Sequence, residues 1–259
     1  MIASNPVKAR LREGGVSLGS FCLEFRTPGI GRLAAAAGAE FLIYDMEHSG
    51  WSTETIAWLA ATSGSELVPV VRVPSIETNS IAPVLDSGAA GIMVPMVEDA
   101  AQARAIVAAA KYPPAGQRGS AFGLAAGGYV PPVDAAEEMR AADSETLLIA
   151  QIETVAGLER LDEIAAVDGI DVLWVGQADL TASLGKPGSY DDPEFLEALA
   201  RVAQAAERNG KAAAYLALSV DEGRRMLALG YRMIAFGGDL WLYQAALRDG
   251  LARLRGEVK

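Results

Sequence analysis

Eight short runs rich in Val, Ile and Leu alternate with Ala-rich helical stretches from end to end of the 259-residue chain. That alternation predicts an α/β fold, a (β/α)8 TIM barrel in a single domain spanning residues 1–259. Two further observations agree. The runs are near-continuously apolar, as in parallel strands covered on both faces. No stretch is rich enough in Pro, Gly or Ser to act as a linker, and about 250 residues is the usual size of one such barrel.

The strands are read in order at 16–21, 41–45, 67–73, 91–96, 147–153, 172–176, 212–216 and 233–237. Helices fall between them, for example at 52–62, 100–110, 154–166, 193–209 and 220–229. An N-terminal helix precedes the first strand and a C-terminal helix follows the last. Gly38, Gly64, Gly210 and Gly230 stand where helices should stop, which suits helix C-terminal caps. One long irregular stretch, 112–133 ("YPPAGQRGSAFGLAAGGYVPPV"), follows the fourth strand. Loops of that length in compact domains usually carry function.

Composition narrows the class of protein. With 51% hydrophobic and 21% charged residues the chain can bury a large core. Its net charge of −11 disfavours nucleic acid and anionic membranes as partners. The lone Cys22 excludes an intrachain disulfide and a cysteine zinc site. The segment "MIASNPVKARLREGG" is charged where a signal peptide would be apolar, and no run reaches about 18 apolar residues. The expectation is a soluble, cytoplasmic protein.

In a barrel of this kind chemistry gathers at the C-terminal ends of the strands. The second strand runs into Asp45, Glu47 and His48, the single histidine of the chain. The third ends with Arg72. The fifth, "LLIAQIET", ends with Gln151 and Glu153, two apart and so on one side of the strand. The sixth runs into Asp179. Each residue alone has an ordinary structural explanation: a surface imidazole, an arginine paired with a loop acid, an acid opening a helix, an N-cap. In one register all of them reach the same rim, and that coincidence points to a site.

Glu153 and Asp179 come from neighbouring strands, so their carboxylates can share one ion. Two oxygen ligands without cysteine or clustered histidine suit a hard divalent cation, Mg²⁺ or Mn²⁺, with Co²⁺ also compatible. Two carboxylates bind weakly, so a chelating substrate is expected to complete the ion's shell.

Three other patterns are weaker. "GIGRLA", 29–34, matches a dinucleotide-binding spacing, but its glycines do not close a strand directly. Cys22 ends a strand beside that of His48, a thiol–imidazole arrangement, though a small core cysteine explains it more simply. A Schiff-base mechanism needs a lysine inside the barrel, whereas Lys8, Lys111, Lys186, Lys211 and Lys259 fall in helices, loops or at a strand start.

The stretches "YDMEHS", "LDSGAAGIMVPMVEDAAQARAIVAAAKYPPAGQRG", "QIETVAGLERLDEIAAVDGIDVLWVGQADLTASLG" and "NGKAAAY" resemble the HpcH/HpaI aldolase/citrate lyase family, the metal-dependent class II aldolases of 2-oxo acids. The resemblance covers nearly the whole chain. It implies that Glu153 and Asp179 hold the metal, that Arg72 contacts the 2-oxo oxygen and that Gln151 is a site amide. It implies His48 as the catalytic base, and a pyruvate carboxylate pocket around Gly176, Ala178 and Asp179. Asp86 matches a carboxylate linked to the histidine. Because Asp86 falls at the start of the fourth strand, on the wrong rim of its own barrel, a neighbouring subunit would supply it. The resemblance also implies a hexamer, a trimer of dimers, with the C-terminal helix packing on an adjacent barrel.

Two departures concern the aldehyde. Gln177 stands where the family usually has proline in G-P-x-D-L, and the loop after "RG" lacks an arginine. The expected activity is reversible, metal-dependent cleavage of a 4-hydroxy-2-oxo acid to pyruvate and an aldehyde, with no organic cofactor. Leu216, Phe21 and the loop around Phe122 are expected to line the aldehyde side. Of the two candidates to orient the ring of His48, Asp45 is the nearer in sequence and Asp86 of another subunit is the one the resemblance implies. Other readings of the same scaffold are a 2-oxo acid decarboxylase, an acyl-CoA lyase, or a non-catalytic barrel that binds 2-oxo acids.

Overall fold

The computed structural model describes residues 2–257. In it eight parallel strands close into one barrel in sequence order. They are β1 (Ser17–Cys22), β2 (Phe41–Asp45), β3 (Val68–Arg72), β4 (Gly91–Val94), β5 (Leu147–Ile152), β6 (Val172–Val175), β7 (Ala212–Ala217) and β8 (Tyr231–Gly238). The helices are α1 (Pro6–Arg12), α2 (Ile30–Ala36), α3 (Thr53–Thr62), α4 (Thr78–Asp86), α5 (Ala100–Ala110), α6 (Ala135–Glu145), α7 (Val155–Glu159), α8 (Leu161–Ala165), α9 (Gln177–Ser183), α10 (Pro193–Arg208), α11 (Val220–Ala228) and α12 (Asp239–Glu257). All eight expected strands form, with edges shifted by a few residues.

Alternation along the strands builds two apolar cores. Phe41, Ile43, Val70, Met93, Ile149 and Trp174 fill the barrel interior, each at most 2% exposed. The residues between them, such as Leu42, Tyr44, Val71, Ile92 and Leu148, pack outward against the helices. Apart from exposed Leu18 on β1 and Phe236 on β8, both faces of the strands are largely dry, which is why the runs lack a regular polar alternate. The interior register also fixes the site. Continued by steps of two, it brings Asp45, Arg72, Gln151, Glu153, Gly176 and Leu216 to the inside of the barrel's C-terminal mouth.

Local chemistry sets the helix ends. Ser52, Asp99, Asp134 and Ser219 accept hydrogen bonds from first-turn N–H groups, and Asp192 does so ahead of Pro193. Such caps contribute about 1 kcal/mol each. Gly38, Gly64, Gly210 and Gly230 all take positive φ, the left-handed turn that ends a helix. The helix expected at 154–166 is broken instead, at Arg160 (φ −104°, ψ 20°). Arg201 of α10 donates to the Leu158 carbonyl across the break, replacing a bond the helix itself would have made.

The irregular stretch 111–134 runs from α5 to α6, so it lies at the N-terminal rim rather than over the catalytic mouth. The expectation that the Phe122 loop lines the aldehyde side of its own barrel is thus corrected: the loop follows a helix, and helices end at the opposite rim. At its start α12 packs on β1 and β8. Beyond that it carries exposed Tyr243, Leu247, Leu251 and Leu254, spaced along one face. Among the described residues no helix is long and apolar enough to cross a membrane.

Candidate active site

Asp45 and Arg72 are register partners on β2 and β3. Asp45 is fully buried. Its carboxylate accepts from Arg72 Nε at 2.7 Å and Nη2 at 2.9 Å, a bidentate fork that fixes the guanidinium plane. The same carboxylate accepts from the backbone N–H of Glu47 (3.0 Å) and of His48 (3.2 Å). Asp45 therefore shapes the turn that carries His48 but does not touch the imidazole. The residue facing that ring is Glu47, whose Oε2 lies 3.7 Å from His48 Nε2 and 3.1 Å from Arg72 Nη1. The expectation that Asp45 orients the ring is corrected accordingly, and Asp45 is a positioning residue. Burial opposes the charge of Arg72, yet the bonds to Asp45 and the carboxylates of Asp45, Glu47 and Glu153 outweigh it and raise its pKa. Burial raises the pKa of Glu47, against the pull of Arg72 and His48. The ring of His48 is 59% exposed in the mouth.

Across the mouth, Glu153 is 1% exposed. Its Oε1 accepts from Met96 N at 2.6 Å, and its Oε2 from Gln151 Nε2. Gly176 permits this arrangement, since a Cβ there would stand 2.2 Å from Glu153 Oε2. Burial pushes the Glu153 carboxyl up to about 7. The bonds from Gln151 and Met96 only partly offset that, and the nearby carboxylates of Glu47 and Asp179 add to it. Asp179 sits exposed in the first turn of α9. The amide oxygen of Gln151 is buried with no hydrogen-bond partner.

A buried carboxyl with Asp179 nearby and an orphaned amide oxygen beside it fits a divalent cation held by oxygen. Among the described residues no set of three acidic, His or Cys side chains is placed to hold a metal.

A cavity of about 340 Å³ joins these groups. Its lining includes His48, Arg72, Gln151, Gly176, Ala178 and Asp179, together with Phe21 and Leu216. Gln177, the position that departs from the family's proline, lines it too, as do Leu23, Trp174, Tyr190, Leu218 and Trp241, which are not among the expected residues. Only Trp174 had a readable signal, its inward parity on the sixth strand; the others arrive from loops and from α12. Asp86 is not part of this assembly in its own chain. It ends α4 at the opposite rim and pairs with Arg118 at 2.6 Å.

The weaker patterns resolve as expected. Residues 29–34 lie at and within α2 and form no phosphate loop after a strand. Cys22 is buried, and its thiol is held above its ordinary range by burial and by Asp239. Lys8, Lys111 and Lys211 are buried against carbonyls of the N-terminal rim, and Lys186 pairs with Asp192. Lys259 lies outside the described residues.

The profile of the HpcH/HpaI aldolase/citrate lyase family matches residues 23–246. The chain is 41% identical to a 4-hydroxy-2-oxovalerate aldolase of Novosphingobium aromaticivorans, over 98% of this chain and 96% of that one. It is 37% identical to a hydroxypyruvate/pyruvate aldolase of Pseudomonas aeruginosa, over 97% and 93%. Among solved structures, an HpcH/HpaI aldolase from Desulfitobacterium hafniense DCB-2 superimposes with a TM-score of 0.91 at 30% identity, covering 96% of each chain.

Proposed function

The chain belongs to the HpcH/HpaI aldolase/citrate lyase family, and from that premise we propose that it is a carbon–carbon lyase that reversibly cleaves a 4-hydroxy-2-oxo acid to pyruvate and an aldehyde. The observation that carries the reading is the mouth of the barrel. A clamped guanidinium, an imidazole and the Asp179 carboxylate line one cavity, with the buried Glu153 bonded to its lining residue Gln151.

His48 acts as the base and takes the proton of the 4-hydroxyl group. The C3–C4 bond then breaks, the C4 oxygen becomes the aldehyde, and the bond's electron pair passes to C3 and the 2-oxo oxygen as the enolate of pyruvate. A proton delivered to C3 completes pyruvate. Arg72, held flat by Asp45, presents fixed positive charge where the oxyanion forms, so no reorganisation is needed as charge develops. Glu47 balances His48 and Arg72 together. Backbone N–H groups in the first turn of α9, at Ala178 and Asp179, meet the substrate carboxylate above Gly176. Glu153 and Asp179 would hold a divalent cation, Mg²⁺ or Mn²⁺, which would supply Lewis-acid polarisation of the 2-oxo group.

The exposed stripe of α12 and the distance of Asp86 from its own mouth support a homo-oligomer. In it α12 covers a neighbouring barrel and Asp86 serves a neighbouring subunit's His48, in keeping with a hexamer built as a trimer of dimers. A cytoplasmic setting belongs to the same proposal. Pyruvate release from a panel of 4-hydroxy-2-oxo acids, with and without Mn²⁺, tests the activity. No metal-dependent pyruvate from any of them would overturn it.

A further inference from the structure

The cavity is chemically divided. Its charged and polar lining groups, His48, Arg72, Gln151, Gln177 and Asp179, stand at or just past the ends of β2, β3, β5 and β6. The rest of the lining is mostly hydrocarbon and aromatic, Phe21, Leu23, Trp174, Leu216, Leu218 and Trp241, with Tyr190 adding a ring and one hydroxyl. Phe21 and Trp174 meet edge to face at 5.6 Å, and the Arg72 guanidinium caps the Phe21 ring at 5.3 Å. The wall is thus a braced surface rather than a loose one. Arg72 is the one permanent cation among the described lining residues, and Asp45 and Glu47 already neutralise it. Gln177 is spent in the same way, since its Nε2 donates to the Leu216 carbonyl at 2.8 Å. That bond ties the start of α9 to the end of β7.

From this division we infer that the aldehyde partner is a neutral aldehyde with an apolar body, alkyl or aryl, and not one bearing a carboxylate. The inference rests on the pyruvate aldolase reading and names the substrate class of that site. A carboxylate carried against this lining would give up part of its water and find no unpaired cation among the described lining residues, whereas each methylene removed from water improves binding about fourfold. In the synthetic direction the enolate carbon of pyruvate attacks the aldehyde carbon. The C=O π pair moves to oxygen, which takes a proton and becomes the 4-hydroxyl. Nothing in that step requires a second charge on the aldehyde.

The test uses the Mn²⁺-loaded full chain with pyruvate and a matched pair, pentanal and 4-oxobutanoate, which share the reacting carbon and the next two methylenes. Pentanal is expected to exceed 4-oxobutanoate in kcat/KM by at least about 10²-fold, with a rise from propanal to pentanal. Leu218→Arg places a cation on the wall at a 56% exposed position where folding tolerates it. It should move the ratio toward 4-oxobutanoate by about tenfold or more. Equal use of the two aldehydes by the parent, or a ratio unmoved by Leu218→Arg, overturns the inference. Exchange of the pyruvate methyl protons in D2O, run without aldehyde, separates the two levels. No exchange means the pyruvate aldolase reading itself has failed; exchange without the neutral-over-charged preference means that only the aldehyde class is wrong.

Discussion

Replacing Glu153 by Gln should make the metal-free protein more stable while ending its activity. In the folded chain this carboxyl sits at about 7 against an ordinary 4.5, and at about 1.4 kcal/mol per pH unit the difference is worth about 3 kcal/mol. The unfolded chain ionises at the lower value while the folded chain keeps its proton up to the higher one. The folded state therefore binds more protons in between, and stability falls as pH rises from about 4.5 to about 7 and stays lower above it. A glutamine escapes this cost. Its oxygen can still accept from Met96 N, and the Gln151 amide can turn its orphaned oxygen to the new NH2 group. The assay is thermal unfolding in EDTA at fixed protomer concentration, at pH 5 and pH 8. Near pH 5 the two proteins should differ little. At pH 8 the variant should melt higher by roughly 6–12 °C, at about 2–4 °C per kcal/mol for a chain of this size. Saturating Mn²⁺ should lift the parent and not the variant. A variant less stable than the parent at pH 8 in EDTA, or an equal offset at both pH values, refutes the electrostatic account of the site.

Exhaustive chelation, or Asp179→Asn, should abolish pyruvate release with the fold intact by circular dichroism, and added Mn²⁺ should restore only the chelated parent. Arg72→Lys keeps a charge but loses the fork that Asp45 grips; turnover should fall by roughly 10²-fold, and a change within about threefold would make Arg72 structural. Asp239→Ala strips an acceptor from the N–H groups of Leu23, Glu24 and Phe25, so urea unfolding should show a loss of about 2–4 kcal/mol and the KM for aldehyde should rise more than that for pyruvate. His48→Ala should slow aldol cleavage by about 10²–10⁴-fold yet slow oxaloacetate decarboxylation less, because that reaction needs no hydroxyl deprotonation; an equal fall in both, with metal affinity unchanged, would make His48 a positioning group.

What could be read from the residues, and what could not, divides along one physical line. A parallel strand declares both its existence and its direction through an unbroken apolar run, so its C-terminal end can be located by counting, and with it Arg72, Gln151 and Glu153. Asp45 was located by the same means but given the wrong partner, because sequence adjacency to His48 says nothing about where a carboxylate points. On β2 the inward parity turns it toward its register partner Arg72, and only backbone N–H groups are left to connect it to His48. The Phe122 loop was assigned to the wrong rim because it was counted from the fourth strand, when its place is decided by the helix that intervenes. The aromatic wall is the harder case. Tyr190 follows α9, Leu218 follows β7 and Trp241 lies in α12. None of them shares a periodicity with the strand ends, and each reaches the cavity only after the barrel has closed. The lining contributed by the strands, Phe21, Arg72, Gln151, Trp174 and Leu216, is thus written in strand parity, which is local and countable, and the lining contributed by loops and α12 is written in closure, which is neither. Relatives over nearly the whole chain that are named for different 2-oxo acids are what such a division would produce.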